Sequence, residues 1–318
     1  MAQPKTIIVT IKGMIQESDF AELKKVSEVK YVELEKISQE ELASLVKEYD
    51  YLMLNYDVVQ KLDSAFWSHS SVKKLKGISC DMTGMGWANP QLAEKEGVLV
   101  MNTPGYSTES VAESILLETL LHSRKIHEAY KDMIRGEEPK TRKGFNLAGK
   151  TVGIIGLGNI GKRLTELFNG VGAKVIAWNR TLRKVSNVTS VSLKEVFTNS
   201  DVICLAIKTE KGENSTEEIV NKEVCNSAKK GQILINLASA SLVNHDDLYD
   251  AIQAGRIAGY SATRNETLKK HKIASLDCVS LPPASAWMSD ESLAELRRIW
   301  VENIISTIKG KPTNKVTG

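Results

Sequence analysis

The 318-residue sequence lacks three features that would mark a special chemistry or environment. It has few cysteines: only Cys80, Cys204, Cys225 and Cys278, none in the CxxC spacing of zinc and redox sites. Cys204 lies in an apolar run and reads as a small buried hydrophobe. The five histidines, His69, His122, His127, His245 and His271, show no metal-spaced pair, so no metal is expected. It has no long hydrophobic run. No apolar stretch approaches the ~18–20 residues that cross a bilayer, and Thr6–Ile11 is too short for a secretory signal and reads as a first strand. Nor is there an excess of charge of one sign. With 42 Lys+Arg against 39 Asp+Glu the balance is +3, which leaves no electrostatic footprint for nucleic acid or anionic membrane. The Lys-rich stretch from Lys309 to Lys315 reads as a solvated end. A reduced, cytoplasmic protein acting on a small molecule is the expectation.

What is present is ordinary globular composition, 42% apolar and 25% charged, in a chain long enough for two domains. Short apolar strand signals alternate with helical patterns from end to end, the mark of α/β architecture with parallel sheets. Strands are expected near Thr6–Ile11, Tyr51–Leu54, Gly77–Cys80 and Val98–Met101. A second series is expected near Thr151–Ile155, Lys174–Trp178, Asp201–Ile207, Gln232–Asn236, Ile257–Ser261 and Cys278–Leu281. Asn89-Pro90 reads as a cap followed by proline at the first helical position. Ser192 and Glu195 have capping-box spacing before Val196 and Phe197. A long helical pattern runs from Ser107 through Val111, Ile115, Leu120 and Leu121 toward Ile126. The charged stretch Lys131–Lys143 after it reads as solvated loop or helix end. A last long helix is expected from Asp290 through Leu296, Trp300, Ile304 and Ile308.

The most informative motif is Gly156-Leu157-Gly158-Asn159-Ile160-Gly161, a GxGxxG pattern. Alone the pattern is weak, but here it follows a strand, opens an amphipathic helix (Ile160, Leu164, Leu167, Phe168) and precedes another strand. That context is what a dinucleotide fingerprint demands. The first glycine permits the turn, the second lets a pyrophosphate approach the backbone, and the third lets helix and strand pack closely. The helix N-terminus offers unpaired N–H groups to phosphates. At the end of the next strand stands Asn179, followed by Arg180 and Thr181, where an acidic residue would accept hydrogen bonds from the ribose of NAD. An amide, a guanidinium and a hydroxyl suit a 2′-phosphate, so NADP is favoured, with NAD binding and a solvent-facing Arg180 as the alternative.

These motifs together give the chain a family likeness. It resembles the D-isomer-specific 2-hydroxyacid dehydrogenases, which include glycerate/hydroxypyruvate, phosphoglycerate and D-lactate dehydrogenases. The likeness rests on the run Asn102–Glu113, the fingerprint Leu147–Gly161, and the later signatures Lys230–Asn236 and Gly255–Gly259. It implies a Rossmann NAD(P)-binding domain, residues 103–289, inserted in a flavodoxin-like substrate domain, residues 1–102 and 290–318. Both are doubly wound parallel-sheet α/β domains. The resemblance adds Thr108, Leu237 and Ala238 to the cofactor contacts. It places Met85, Gly86, Trp87 and Trp287 beside the substrate, with the turn from Gly84 to Gly86 offering backbone N–H groups to a carboxylate. It also implies a homodimer, the Ser107–Ile126 helix contributing to the contact.

The chain departs from that family at the chemistry. Typical members hold a 2-keto acid with arginine, protonate the carbonyl oxygen with histidine, and orient the histidine with glutamate. Here Ser239 stands in the arginine position and Pro283 in the histidine position. The glutamate position falls at Leu268, with Glu266 two residues off register. Candidate substitutes are Tyr106, whose phenol could reach substrate, Glu266, and Ser239 itself. Tyr260 reads as core, and His271 as exposed. Three readings compete. The first is a reductase acting on something other than a simple 2-keto acid, such as an imine, an enamine or another activated double bond. The second is a catalytically inactive nucleotide-binding or protein-interaction module. The third is an ordinary dehydrogenase with displaced catalytic groups.

Overall fold

The computed structural model describes residues 3–181, 183–210 and 212–316. They fall into two compact units, one of Met1–Ser107 with Ser289–Gly318 and one of Thr108–Met288.

The first unit is built on five strands: β1 (Lys5–Thr10), β2 (Glu28–Glu33), β3 (Tyr51–Leu54), β4 (Gly77–Cys80) and β5 (Leu99–Met101). All pair in parallel in the order β2-β1-β3-β4-β5, the flavodoxin-like winding. Helices α1 (Ala21–Lys24), α2 (Gln39–Leu45), α3 (Ser64–Trp67) and α4 (Pro90–Lys95) connect them. The central strands are buried on both faces, so they are apolar throughout rather than alternating. One face packs Ile7, Leu52, Ile78, Phe66 and Trp67 together. The other packs Ile8, Met53 and Met101 against Trp300 and Ile304. β2, an edge strand with the sequence EVKYVE, is only half-buried; its mixed charges hid it from the pattern of apolar runs.

The second unit holds β6 (Thr151–Ile155), β7 (Lys174–Trp178), β8 (Thr189–Ser190), β9 (Val202–Leu205), β10 (Gln232–Asn236), β11 (Ile257–Ala262) and β12 (Val279–Ser280). The parallel order is β12-β11-β10-β9-β6-β7-β8, so the winding runs one way through β7 and β8 and the other way from β9 onward. That is the Rossmann arrangement, with its switch point between β6 and β9. Its helices are α5 (Thr108–Ser123), α6 (Ile126–Ile134), α7 (Asn159–Gly170), α8 (Leu193–Asn199), α9 (Lys222–Ser227), α10 (His245–Gln253) and α11 (Glu266–Lys270). The capping box before α8 forms as its spacing predicts: Glu195 N donates to Ser192 Oγ at 3.2 Å, and Ser192 N donates to Glu195 Oε2 at 2.8 Å.

Two expectations need correction. The long helix stops at Ser123, because Lys125 takes a left-handed conformation (φ 58°) and a separate helix, α6, begins at Ile126. The following charged stretch is not simply solvated. Lys131 Nζ donates to the carbonyls of Leu276 (2.6 Å) and Val279 (2.8 Å). Asp132 is fully buried and accepts from Arg135, Arg142 and the Lys140 amide. The charges in this segment knit a loop to a helix.

The chain returns to the first unit through α12 (Asp290–Ile308), whose N-terminus Ser289 caps by accepting from Ser292 N. Trp300 Nε1 donates to Ser79 O (2.8 Å), Ser79 Oγ donates to Trp300 O (2.9 Å), and Asn303 Nδ2 donates to Asn102 O (2.9 Å). The last described residue, Val316, donates its N–H to Val100 O at 2.8 Å.

Candidate functional site

The loop between β6 and α7 lies at the carboxyl end of the central strand, at the switch point where ligands of open α/β sheets bind. Two of its three glycines have a steric reason within the protein. Gly156 has φ 102°, and a Cβ there would sit 2.5 Å from Ala206 O. A Cβ on Gly161 would come within 1.9 Å of Gly156 O, so the third glycine lets the helix sit against the turn. Gly158 is different: nothing of the protein lies within 4 Å of where its Cβ would be. No side chain caps the start of α7, at Asn159 and Ile160. Open space at the second glycine, beside uncapped helix N–H groups, fits the pyrophosphate of a dinucleotide. A nicotinamide cofactor bound there would be held by the Gly156–Gly161 backbone, and would supply the hydride.

Asn179 follows β7 with both ends of its amide engaged. Oδ1 accepts from Leu157 N (2.9 Å) and Nδ2 donates to Thr181 O (2.6 Å). It braces the glycine loop rather than standing free as a ribose acceptor. Arg180 is exposed and donates to the Glu210 carboxylate and to Asn214 O (2.7 Å). A pocket of about 290 Å³ opens beside them, lined by Asn179, Arg183, Ser190, Ser192 and Glu195 among others. The sequence reading missed Arg183, four residues beyond Asn179 in a segment with no periodic signal.

At the end of β10, the Asn236 side chain accepts from Ala238 N (3.2 Å) and donates to Ser239 O (2.8 Å), fixing the Leu237–Ser239 turn. Ser239 Oγ lies 2.8 Å from Ser241 Oγ, which lies 3.0 Å from Thr209 Oγ1. This is a row of neutral hydroxyls. Leu268 is buried, Glu266 is exposed in the first turn of α11 and pairs with Lys269 at 3.0 Å, and Pro283 is exposed. Trp287 is half-buried, its Nε1 donating to Ala284 O at 3.0 Å. Thr108 begins α5.

In the first unit, the carboxyl ends of β3 and β4 carry a polar group that the sequence reading did not single out. Asp81 is 5% exposed and accepts from the Asn55 side chain and from Tyr56 N (2.9 Å). Burial outweighs those two bonds and pushes its carboxyl up to about 6, with the Asp57 charge adding to the effect. Its only signal in the sequence is a carboxylate placed directly after the apolar strand Gly77–Cys80. Tyr106 is half-buried against the Ile8–Trp300 core; burial, then the Asp81 charge, raises its phenol to about 12. Met85 packs into the unit's core, whereas a Cβ added at Gly84 or Gly86 would meet nothing within 4 Å. Trp87 packs edge-on to Tyr56 at 5.2 Å.

The chain as a whole has counterparts among known proteins. Residues 116–286 match the model of the NAD-binding domain of D-isomer-specific 2-hydroxyacid dehydrogenases. The chain belongs to that family. It is 30% identical over 282 residues to a hydroxypyruvate reductase of Thermotoga maritima, covering 86% of this chain and 89% of that protein. Two similar solved structures share its fold along 98% of its length. One is an acyclic imino acid reductase in complex with NADPH and D-Arg, at TM-score 0.85, 23% identity and 99% coverage of that chain. The other is D-2-hydroxyisocaproate dehydrogenase, at TM-score 0.84, 22% identity and full coverage of that chain. The family is one of nicotinamide-dependent oxidoreductases, and the residues matched by its NAD-binding model lie within the Thr108–Met288 unit. Among the described residues no helix is long and apolar enough to cross a membrane.

Proposed function

We propose that this family member is an NADPH-preferring reductase whose substrate is an imine, an enamine or another activated double bond, not a simple 2-keto acid. The reading rests on the residues that the family resemblance assigns to the positions of its catalytic groups: Ser239 for arginine, Pro283 for histidine and Leu268 for glutamate. A hydroxyl already paired with Ser241 has no charge to clamp a carboxylate. Proline has no proton to give, and Leu268 lies in the core. An iminium carbon asks for less: it carries its own positive charge and its own nitrogen protons. Hydride addition then yields a neutral amine with no acid from the protein. For a neutral double bond Tyr106 is the proposed proton donor; its raised pKa keeps it protonated at every working pH. The imino acid reductase shares the fold and lends the chemistry no more than that.

The proposed NADPH preference rests on Asn179, which puts no carboxylate where a 2′-phosphate would lie, and on the two arginines, Arg180 and Arg183, beside it. The Arg180–Glu210 pair is exposed on both sides. Such pairs are worth about 0–1 kcal/mol, little enough for a doubly charged phosphate to win the guanidinium. A homodimer is proposed as well, through Leu117 and Leu120 of α5 and Tyr130, Met133 and Ile134 of α6, all exposed.

Fluorescence titration with NADPH and NADH, followed by a screen of carbonyl and imine compounds for cofactor oxidation, tests the reading. NADPH should bind more tightly, and Arg180→Ala should reduce that preference. Pyruvate, glyoxylate and hydroxypyruvate should be reduced at well below about 1 s⁻¹, the low end of usual enzyme turnover. Faster turnover of any of the three would overturn the substrate reading, tighter NADH binding the cofactor reading, and an unimpaired Tyr106→Phe variant the role of the phenol.

A further inference from the structure

Away from the glycine loop, α5, α6 and β11 bring four polar side chains together. Glu118 and His122 stand one turn apart on α5, His127 lies in the first turn of α6, and Ser261 comes from β11. His127 Nε2 is 2.9 Å from Glu118 Oε2, His122 Nε2 is 2.8 Å from Ser261 Oγ, and Ser261 hydrogen-bonds the same Glu118 oxygen. The two imidazole centroids are 4.6 Å apart. Glu118, His122 and Ser261 are buried, and His127 retains 16% of its side-chain exposure. One ligand atom from each of Glu118, His122 and His127 lies within 4.8 Å of the others. Among the described residues this is the one group of three such side chains drawn so close.

His122 is fully buried, yet its Nδ1 has no partner and faces the backbone at Gly259, where an added Cβ would sit 2.7 Å away. Its other nitrogen, Nε2, meets Ser261 Oγ inside the cluster. A carboxylate oxygen and two ring nitrogens converging on one volume are a metal-ligand set.

We propose that Glu118, His122 and His127 bind a divalent metal of the zinc class, clamping α5, α6 and β11 together. Two imidazoles and one carboxylate suit zinc, cobalt, nickel or copper, and supply too few oxygens for calcium or magnesium. Ligand atoms around a tetrahedral zinc stand roughly 3.3 Å apart. The widest pair therefore closes by at most about 1.5 Å, within the reach of side-chain rotation. Ser261 Oγ, or a water in its place, completes the shell. The nearby ammonium groups are already engaged: Lys125 by Glu128 (3.0 Å) and Ala258 O (3.0 Å), Lys131 by two carbonyls. The site is closed and its role is to fasten the helices, not to activate a substrate.

The test uses the full chain, stripped with a chelator and titrated with Co²⁺ and then Zn²⁺. One Co²⁺ per chain should give visible absorption bands, equimolar Zn²⁺ should abolish them, and Zn²⁺ should raise the melting temperature. His127→Ala alters the least buried ligand and so threatens folding least. It should weaken Co²⁺ binding by more than about 100-fold, beyond the 10–100-fold that outer-shell changes cost, with circular dichroism and NADPH binding retained. Absence of bands and of a melting shift at about 0.1 mM metal overturns the proposal. So does unchanged binding in both His127→Ala and Glu118→Gln, which would put the ion elsewhere.

Discussion

Replacing Gly158 by valine puts a branched side chain into the open space beside the N-terminus of α7. Because no protein atom is near, the fold should survive with its melting temperature within a few degrees, while NADPH and NADH fluorescence titrations should show no binding. Gly161→Val would instead strike Gly156 O and unfold the turn, so the pair of variants separates cofactor space from packing space. Asp81 allows a pH argument. Its folded pKa, about 6, lies above the ordinary unfolded value of about 3.9, so between those values the folded chain binds more protons and stability falls as pH rises. Holding the carboxylate at neutral pH costs roughly 3 kcal/mol. Denaturant melts from pH 4 to 7 should show that decline, and Asp81→Asn should flatten it. Gly156 and Gly161 were legible in the sequence because local sterics dictates them. Asp81 and Arg183 were not, since burial and convergence depend on neighbours far along the chain.

The corner between α5 and α6 shows why element boundaries were harder to read than elements. The apolar spacing from Val111 to Ile126 continues through the break, so periodicity predicts one helix; a tertiary contact accompanies the left-handed turn at Lys125 that ends α5. Phe145 N donates to Ser123 O at 2.9 Å, and Gly144 lies so close that a Cβ would be 2.3 Å from that oxygen and 2.9 Å from Arg124 Cα. Gly144→Ala should therefore cost more than about 2 kcal/mol, the range of enforced backbone clashes, measured as a drop in denaturation midpoint at unchanged m-value. The buried parallel strands were legible because both faces are apolar. β2 and β8 were not, because an edge strand shows the sequence only half a hydrophobic face, and β8 is two exposed residues. The His122–His127 juxtaposition was invisible for the same reason as the break: it needs two helices and a turn.

At the scale of the whole molecule, the exposed apolar residues of α5 and α6 predict that sedimentation at micromolar concentration finds a dimer. A charged substitution, Tyr130→Glu with Ile134→Glu, should yield monomers that still bind NADPH. The family likeness implied association from the sequence, and these substitutions fall on exposed apolar side chains, Ile134 at 85% exposure. The route of the chain through the first unit has another consequence, for synthesis. The Thr108–Met288 unit is one continuous stretch and has all its strands and helices as soon as its last residue is made. The earlier-made strands β1 to β5 do not. Until α12 is translated, Ile8, Met53 and Met101 have no Trp300 or Ile304 to cover them, and the Ser79 carbonyl has no indole donor. Of the two units, the one whose strands are made earlier is thus completed later, and a nascent chain on the ribosome carries an open apolar sheet face throughout translation of the Thr108–Met288 unit.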